Sequence, residues 1–377
     1  MIQPAGGIPR AVAILLGLAG AVVVVFGLAA ARTVVTPVFF ALVLTICAHP
    51  VRRGLERRGV PSGLATGSAI LAVFAILAGF VTALIVALAQ FTTLLPQYAT
   101  ELQAAAAALG DALERLGIGS EQAQVIVDGL EPSRAIELVS ALLGGVAGIV
   151  FSLVVVLTLL ILMAMDAAYG PAILRQIRPR RPALVDALVA YSANVRRYMV
   201  VTTALGVAQG ALNWIALLVL QVPGALLWGL LSFICSFIPN IGYFIAIVPP
   251  LVFGFLSGGW PTVVAVIVVY GVVNAVVQSI VQPKVVGGAV RLSETITFVS
   301  VLFWALVLGP FGAILAVPLT LLVRTVLLDA DPSLRWWRPA TGDLDETKAI
   351  AAEMAAERKA DRESRTEHRR EARRSRP

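Results

Sequence analysis

The sequence predicts an all-α, polytopic integral membrane protein with about six full transmembrane helices and two further segments broken by Pro and Gly. Three observations predict it. The 377 residues are 59% hydrophobic and only 14% charged. Several apolar windows exceed about 18 residues with almost no charge, the length a helix needs to cross a bilayer. Lys and Arg gather between the apolar runs and in the last residues, as the positive-inside bias demands.

The elements follow in order. A first helix is expected over 11–31, retained rather than cleaved, because the run exceeds a typical signal core and another apolar segment follows at once. A second is expected over 34–49, with Pro37 near its start, where proline is tolerated. The basic loop VRRGLERRGVPSG leads to a third helix over 63–90. Residues 1–90 thus form a three-helix unit. Residues 91–140 are acidic, with Leu and Ala at three- and four-residue steps, and are read as extracytoplasmic amphipathic helices. The stretch 141–328 is read as the transport core. It opens with a fourth helix over 141–165 that ends at Asp166. A basic cytoplasmic segment, 167–199, precedes a fifth helix over 200–220, and a sixth is expected over 261–281. The charged tail 329–377 mixes both signs without an apolar stripe and is placed in the cytoplasm.

The broken segments span 224–257 and 295–328. The first contains Pro239, Asn240, Gly242, Pro249 and Pro250; the second contains Gly309, Pro310, Gly312 and Pro318. Each apolar stretch is about 30 residues, more than one crossing needs and less than two. Irregular backbone survives at membrane depth only where protein buries it or water lines it, so paired breaks point to a solute site and its hinges. The basic segments place both termini inside. The first break then enters from outside and the second from inside, as an inverted pair; two full spans or one kinked span per segment are the alternatives.

Polar residues inside apolar runs are few. Asn274, Gln278 and Gln282 share one face at i, i+4, i+8, and Gln209 and Asn213 repeat the spacing. Amides both donate and accept, which suits a hydroxylated neutral solute; the alternative is hydrogen-bond glue between helices. Asn240, at the first break, is either a ligand or a turn residue. Glu294 and Asp166 lie at the edges of apolar runs, where they either couple a proton or sodium ion or mark helix ends.

Other classes are poorly supported. The net charge of +7 follows from topology, so no nucleic-acid partner is expected. Cys47 and Cys235 lie in apolar runs, and His49 and His368 have no zinc spacing, so no metal or cofactor is expected. No HExxH, Walker loop or Ser-His-Asp set recommends an enzyme. Trp336 and Trp337 read as an interfacial anchor, and membrane lipid is the surrounding partner.

Three stretches carry a resemblance: GALLWGLLSFICSFIPNIGYFIAIVPP (224–250), VQPKVVGGAV (281–290) and GPFGAILAVPLTLLV (309–323). With TPVFFALVLTICAHPV (36–51), they make the chain resemble the autoinducer-2 exporter family over about 10–328. Pro239, Gly242, Gln282, Pro283, Lys284, Gly287, Gly312 and Pro318 fit the family pattern; Glu294 stands where the family often has proline. The resemblance implies a multispan inner-membrane transporter without ATP hydrolysis. Some members are associated with export of autoinducer-2, others with sodium or proton antiport. The expectation is therefore a secondary transporter of a small polar solute, working by alternating access, as a homo-oligomer. A cation/proton antiporter and a non-transporting scaffold are the rivals.

Overall fold

The computed structural model describes residues 9–115, 146–281, 292–337 and 351–356, with a few isolated positions besides. Among the described residues every regular element is helical. Five helices among the described residues are long and apolar enough to cross a membrane, or six if a pair bent by 56° counts as one span.

Helix α1 (Arg10–Ala30) is apolar on all sides, and its most apolar window has no buried residue in the chain. A helix apolar all round needs an apolar solvent, which lipid supplies. Helix α2 (Arg32–Arg57) runs beyond the expected 34–49 through Pro50 and the first arginines. Arg52 and Glu56, one turn apart and paired with Nε 2.9 Å from Oε1, support that last stretch, and Gly59 at φ 86° ends it. Helix α3 (Ser62–Leu94) is followed by a 3₁₀ turn and α4 (Ala99–Arg115), the described part of the acidic segment. The rest of 91–140 lies almost wholly outside the described residues.

Helix α5 (Val146–Asp166) ends at Asp166, as expected, and bends into the short α6 (Gly170–Ile177). Helix α7 (Pro182–Val219) begins well before the expected 200. The arginines of 167–199 had masked an amphipathic stretch. Val185, Tyr191, Val195, Tyr198 and Met199 bury one face, while Arg197 lies outside it.

Both broken segments are helical hairpins. Helix α8 (Ala225–Cys235) is about 16 Å long, too short to cross. A turn over 236–241 returns the chain into α9 (Gly242–Asn274). Helix α9 has its own reversal at Gly259, with φ 65° and ψ −158°. A Cβ placed on Gly254 would lie 3.6 Å from Val266 and 3.3 Å from Thr262. Residues 254 and 266 would be about 18 Å apart along a straight helix, so the two legs lie side by side. The apolar stretch Gly242–Gln278 is therefore two legs, divided where the expected first segment meets the expected sixth helix.

The second hairpin leaves through α10 (Glu294–Leu308) and turns at Gly309. It returns through α11 (Pro310–Ile314) and α12 (Ala316–Arg324). Gly309 has φ 74° and ψ −159°, nearly the conformation of Gly259, in a region open essentially to glycine alone. Space around Gly309 is free, so only its backbone requires glycine. Gly309→Ala is expected to cost about 1–3 kcal/mol, read as a lower thermal midpoint in detergent. The legs are joined by the Trp304 indole N–H, which donates to Thr320 Oγ1 at 2.9 Å.

Two apolar clusters hold the helices together. One combines Phe91 of α3, Trp228 of α8 and Phe253 of α9, whose rings lie 5.1–5.6 Å apart. The other joins α2 and the first half of α7 to the second hairpin, around Phe39, Val195, Trp304 and Leu315. Phe237, Ile238 and Ile241, from the turn of the first hairpin, pack against this second cluster. The tip of one hairpin thus reaches the body of the other.

Candidate functional site

Helix α7 presents Thr202, Gly206, Gln209, Gly210 and Asn213 along one buried face. The steps of three and four residues put them on one stripe. The glycines let α8 approach. A Cβ on Gly210 would stand 2.8 Å from the Gly229 carbonyl oxygen, and one on Gly229 would stand 2.7 Å from Trp214 Cβ. A Cβ on Gly206 would collide with Ser236 Oγ. Small residues at such a crossing bring polar groups on both helices within reach.

The polar groups then meet. Asn213 Nδ2 donates to Ser232 Oγ at 3.2 Å, and Ser232 Oγ donates to the Trp228 carbonyl at 2.9 Å. The Tyr270 hydroxyl of α9 lies 3.4 Å from the same Ser232 Oγ. Asn274 is one helical turn beyond Tyr270, and Gln278 is one turn further, in the π-helical stretch Ala275–Val281. Thr202, Gly206, Gln209, Ser236 and Gln278 line a narrow cleft, with Leu205 and Val277 beside them. It has room for about one water molecule.

Among the described residues, three amide oxygens in this region have no hydrogen-bond partner: Gln209 Oε1, Asn213 Oδ1 and Asn274 Oδ1. Gln209 is 3% exposed and Asn213 1%. A buried acceptor left unpaired costs about 1–3 kcal/mol. An external hydroxyl, amide or water donor would satisfy all three. The side chains lining the cleft are uncharged, so a hydroxyl, amide or water donor fits them better than an anion does.

The candidate residues divide. Gln209 and Gln278 face one cleft; Asn213 joins Ser232 and Tyr270 beside it, and Asn274 lies on the same α9 stripe. Gln282 lies outside the described residues. Asn240 is exposed at the tip of the first hairpin, with φ 65°, the conformation of a turn residue. Pro239 sits half-buried beside it, while Pro249 and Pro250 lie inside α9. Gly242, Gly312 and Pro318 are buried in the hairpins. The Pro318 carbonyl accepts a hydrogen bond from the Tyr191 hydroxyl at 3.4 Å.

Asp166 is exposed at the end of α5. Glu294 is exposed in the first turn of α10, and the structure brings neither carboxylate into the cleft. Ser293 caps this helix, its Oγ accepting from the Ile296 N–H at 3.2 Å. Ser293→Ala is expected to cost about 1 kcal/mol, measured by thermal unfolding. Ser232, Ser236 and Tyr270 are polar members that the amide spacing did not single out. Ser232 and Ser236 are themselves i, i+4, and Tyr270 precedes Asn274 by one turn, so extending the stripe would have found them.

The sequence model for AI-2E family transporters matches residues 13–330. The AI-2 transport protein TqsA of Escherichia coli K12 is 29% identical over 294 residues, covering 78% of this chain and 85% of its own. The putative transport protein YhhT of the same strain is 27% identical over 307 residues, covering 81% and 88%. A putative transport protein of Haemophilus influenzae is 28% identical over 340 residues, covering 89% and 97%. With its helical hairpins and apolar spans, the chain belongs to the AI-2E transporter family.

Proposed function

We propose that this family member is a secondary transporter that carries a small, uncharged, hydroxylated solute past the amides of α7 and α9. The supporting observation is the set of three buried amide oxygens without partners beside a neutral cleft. Hydroxyl donors on a solute would satisfy them, and water would replace the solute when it leaves. Autoinducer-2, the solute in the name of the E. coli relative TqsA, is the first candidate.

The hairpins supply the moving parts. Their legs are held by local contacts, and the tip of the first packs against the cluster of the second. Rocking of one against the other would open the cleft to each side in turn. The basic segments orient both termini toward the cytoplasm of a bacterial inner membrane.

Proteoliposomes loaded with autoinducer-2, with a hydroxylated control solute, or with sodium and a pH dye test this reading. Solute efflux is expected from the wild type, and Asn274→Ala/Gln278→Ala should lower it at least tenfold, about 1.4 kcal/mol. Efflux that the double variant leaves intact would take the pathway away from α9. Glu294→Gln is expected to leave flux unchanged. Proton-coupled sodium flux that this substitution abolishes would instead make the protein an antiporter.

A further inference from the structure

A second polar cluster lies away from the amide cleft, where the end of α2 meets α7. Arg196 NH1 is 3.3 Å from His49 Nδ1. Arginine carries donors only, so the imidazole nitrogen accepts, and the other ring nitrogen keeps its proton as a donor. This imidazole is the only hydrogen-bond partner of Arg196 among the described residues. Among the described residues, the charged groups that act on His49 are Arg52, Arg53, Arg196 and Glu56. Three guanidiniums therefore face one carboxylate, and Arg52 already holds that carboxylate at 2.9 Å.

Topology does not require this arrangement. The positive-inside bias is met by exposed arginines at helix ends, such as Arg57 and Arg58. Arg196 lies well inside α7 and is half-buried against α2, as is Arg52. Arg53 is exposed beside the half-buried Arg52 and Arg196, and like charges gathered this way repel unless an anion joins them. The cluster also lies where the apolar part of α2 ends, the level at which lipid phosphates sit.

We propose that Arg53, Arg196 and His49 form a binding site for a phosphate group, presented by an anionic lipid of the cytoplasmic leaflet or by a free phosphate anion. Two guanidiniums from neighbouring helices can each place paired N–H groups on phosphate oxygens, a geometry lysine cannot reproduce. The ligand would bridge α2 to α7 and so tie the first three-helix unit to the helix that carries Gln209 and Asn213.

The test is thermal unfolding of the full-length protein in detergent, titrated with phosphatidylglycerol, phosphatidylcholine or inorganic phosphate. Phosphatidylglycerol should raise the midpoint saturably, and phosphatidylcholine should not. Arg53→Gln and Arg196→Gln should each weaken the apparent affinity by about fivefold, and Arg196→Lys should restore it only in part. Arg58→Gln, in the same basic segment but outside the cluster, should change it less than about twofold. A response to inorganic phosphate that Arg53→Gln also weakens would assign the site to a free anion. A response to phosphatidylglycerol alone would assign it to lipid. The proposal is overturned if Arg53→Gln and Arg196→Gln keep wild-type affinity, or if Arg58→Gln weakens it equally. Arg53 is exposed, so its variant remains informative even if Arg196→Gln fails to fold.

Discussion

Gly312→Ala is expected to be strongly destabilising, lowering both the yield and the thermal midpoint of the folded protein. A Cβ at this position would collide with the Trp304 carbonyl oxygen and stand 2.7 Å from its carbon and 2.8 Å from Leu308 Cβ. Two of those atoms are backbone, held by the hydrogen-bonded ladder of α10, so nothing can rotate away. Overpacking of this kind costs about 3 kcal/mol, a large fraction of the stability of most domains. Gly242→Ala should behave alike, because its Cβ would meet the Cys235 carbonyl, with the carbonyl carbon at 2.8 Å. Gly254→Ala is the control. Its nearest neighbour is a side-chain methyl of Thr262 at 3.3 Å, and its cost should stay below about 1 kcal/mol. The readout is the yield of monodisperse protein on size exclusion and its thermal midpoint. Equal losses in all three variants would show that the close approach to a carbonyl does not govern the effect, because helix propensity by itself favours alanine over glycine.

The two glycines are related in more than cost. Each starts the returning leg of a hairpin, each faces a carbonyl of the outgoing leg, and each is followed four residues later by a buried alanine, Ala246 or Ala316. Proline follows in both, at Pro249 and Pro250 or at Pro318. Under the proposed alternating access, two tightly closed hairpins of like construction would move as units. That is the property alternating access asks of its moving parts.

These features are partly legible in the sequence. Glycine and proline inside an apolar run have few physical meanings, so the hairpins could be read from Pro239, Gly242, Gly309 and Gly312. The reversal at Gly259 was harder to see. Gly258, Gly259 and Pro261 looked like the gap between two elements, and only the contact of Gly254 with Val266 shows the legs folding together. The early start of α7 was hidden because Arg196 and Arg197 resemble a loop by charge, whereas they ride on a helix whose other face is buried. The amide stripe was legible from spacing alone. Its partner Ser232 was not, because a lone serine in an apolar run carries little signal until Gly210 and Gly229 bring the helices together.

Gln209→Met is expected to abolish solute flux while leaving the fold as stable as the wild type or more so. Hydrogen-bond glue predicts the opposite sign. If Gln209 held helices together, its loss would cost about 1 kcal/mol and would lower the thermal midpoint. Gln209 Oε1 has no partner among the described residues, however, and the side chain is 3% exposed. Replacing a buried, unsatisfied amide by an apolar chain of similar length removes a desolvation penalty. A polar group kept at such a cost is a mark of function, and stabilising changes at such places lose activity. Asn213→Leu sharpens the comparison. It also removes an unpaired oxygen, but it breaks the hydrogen bond to Ser232, so its stability should fall below that of Gln209→Met while its flux falls at least as far. Each loss should be tenfold or more, about 1.4 kcal/mol or greater in the transport barrier. Thermal unfolding and proteoliposome efflux on the same preparations give both numbers. A lowered midpoint with flux intact in Gln209→Met would return the stripe to a purely structural role, and a stable protein without flux would place the solute on α7.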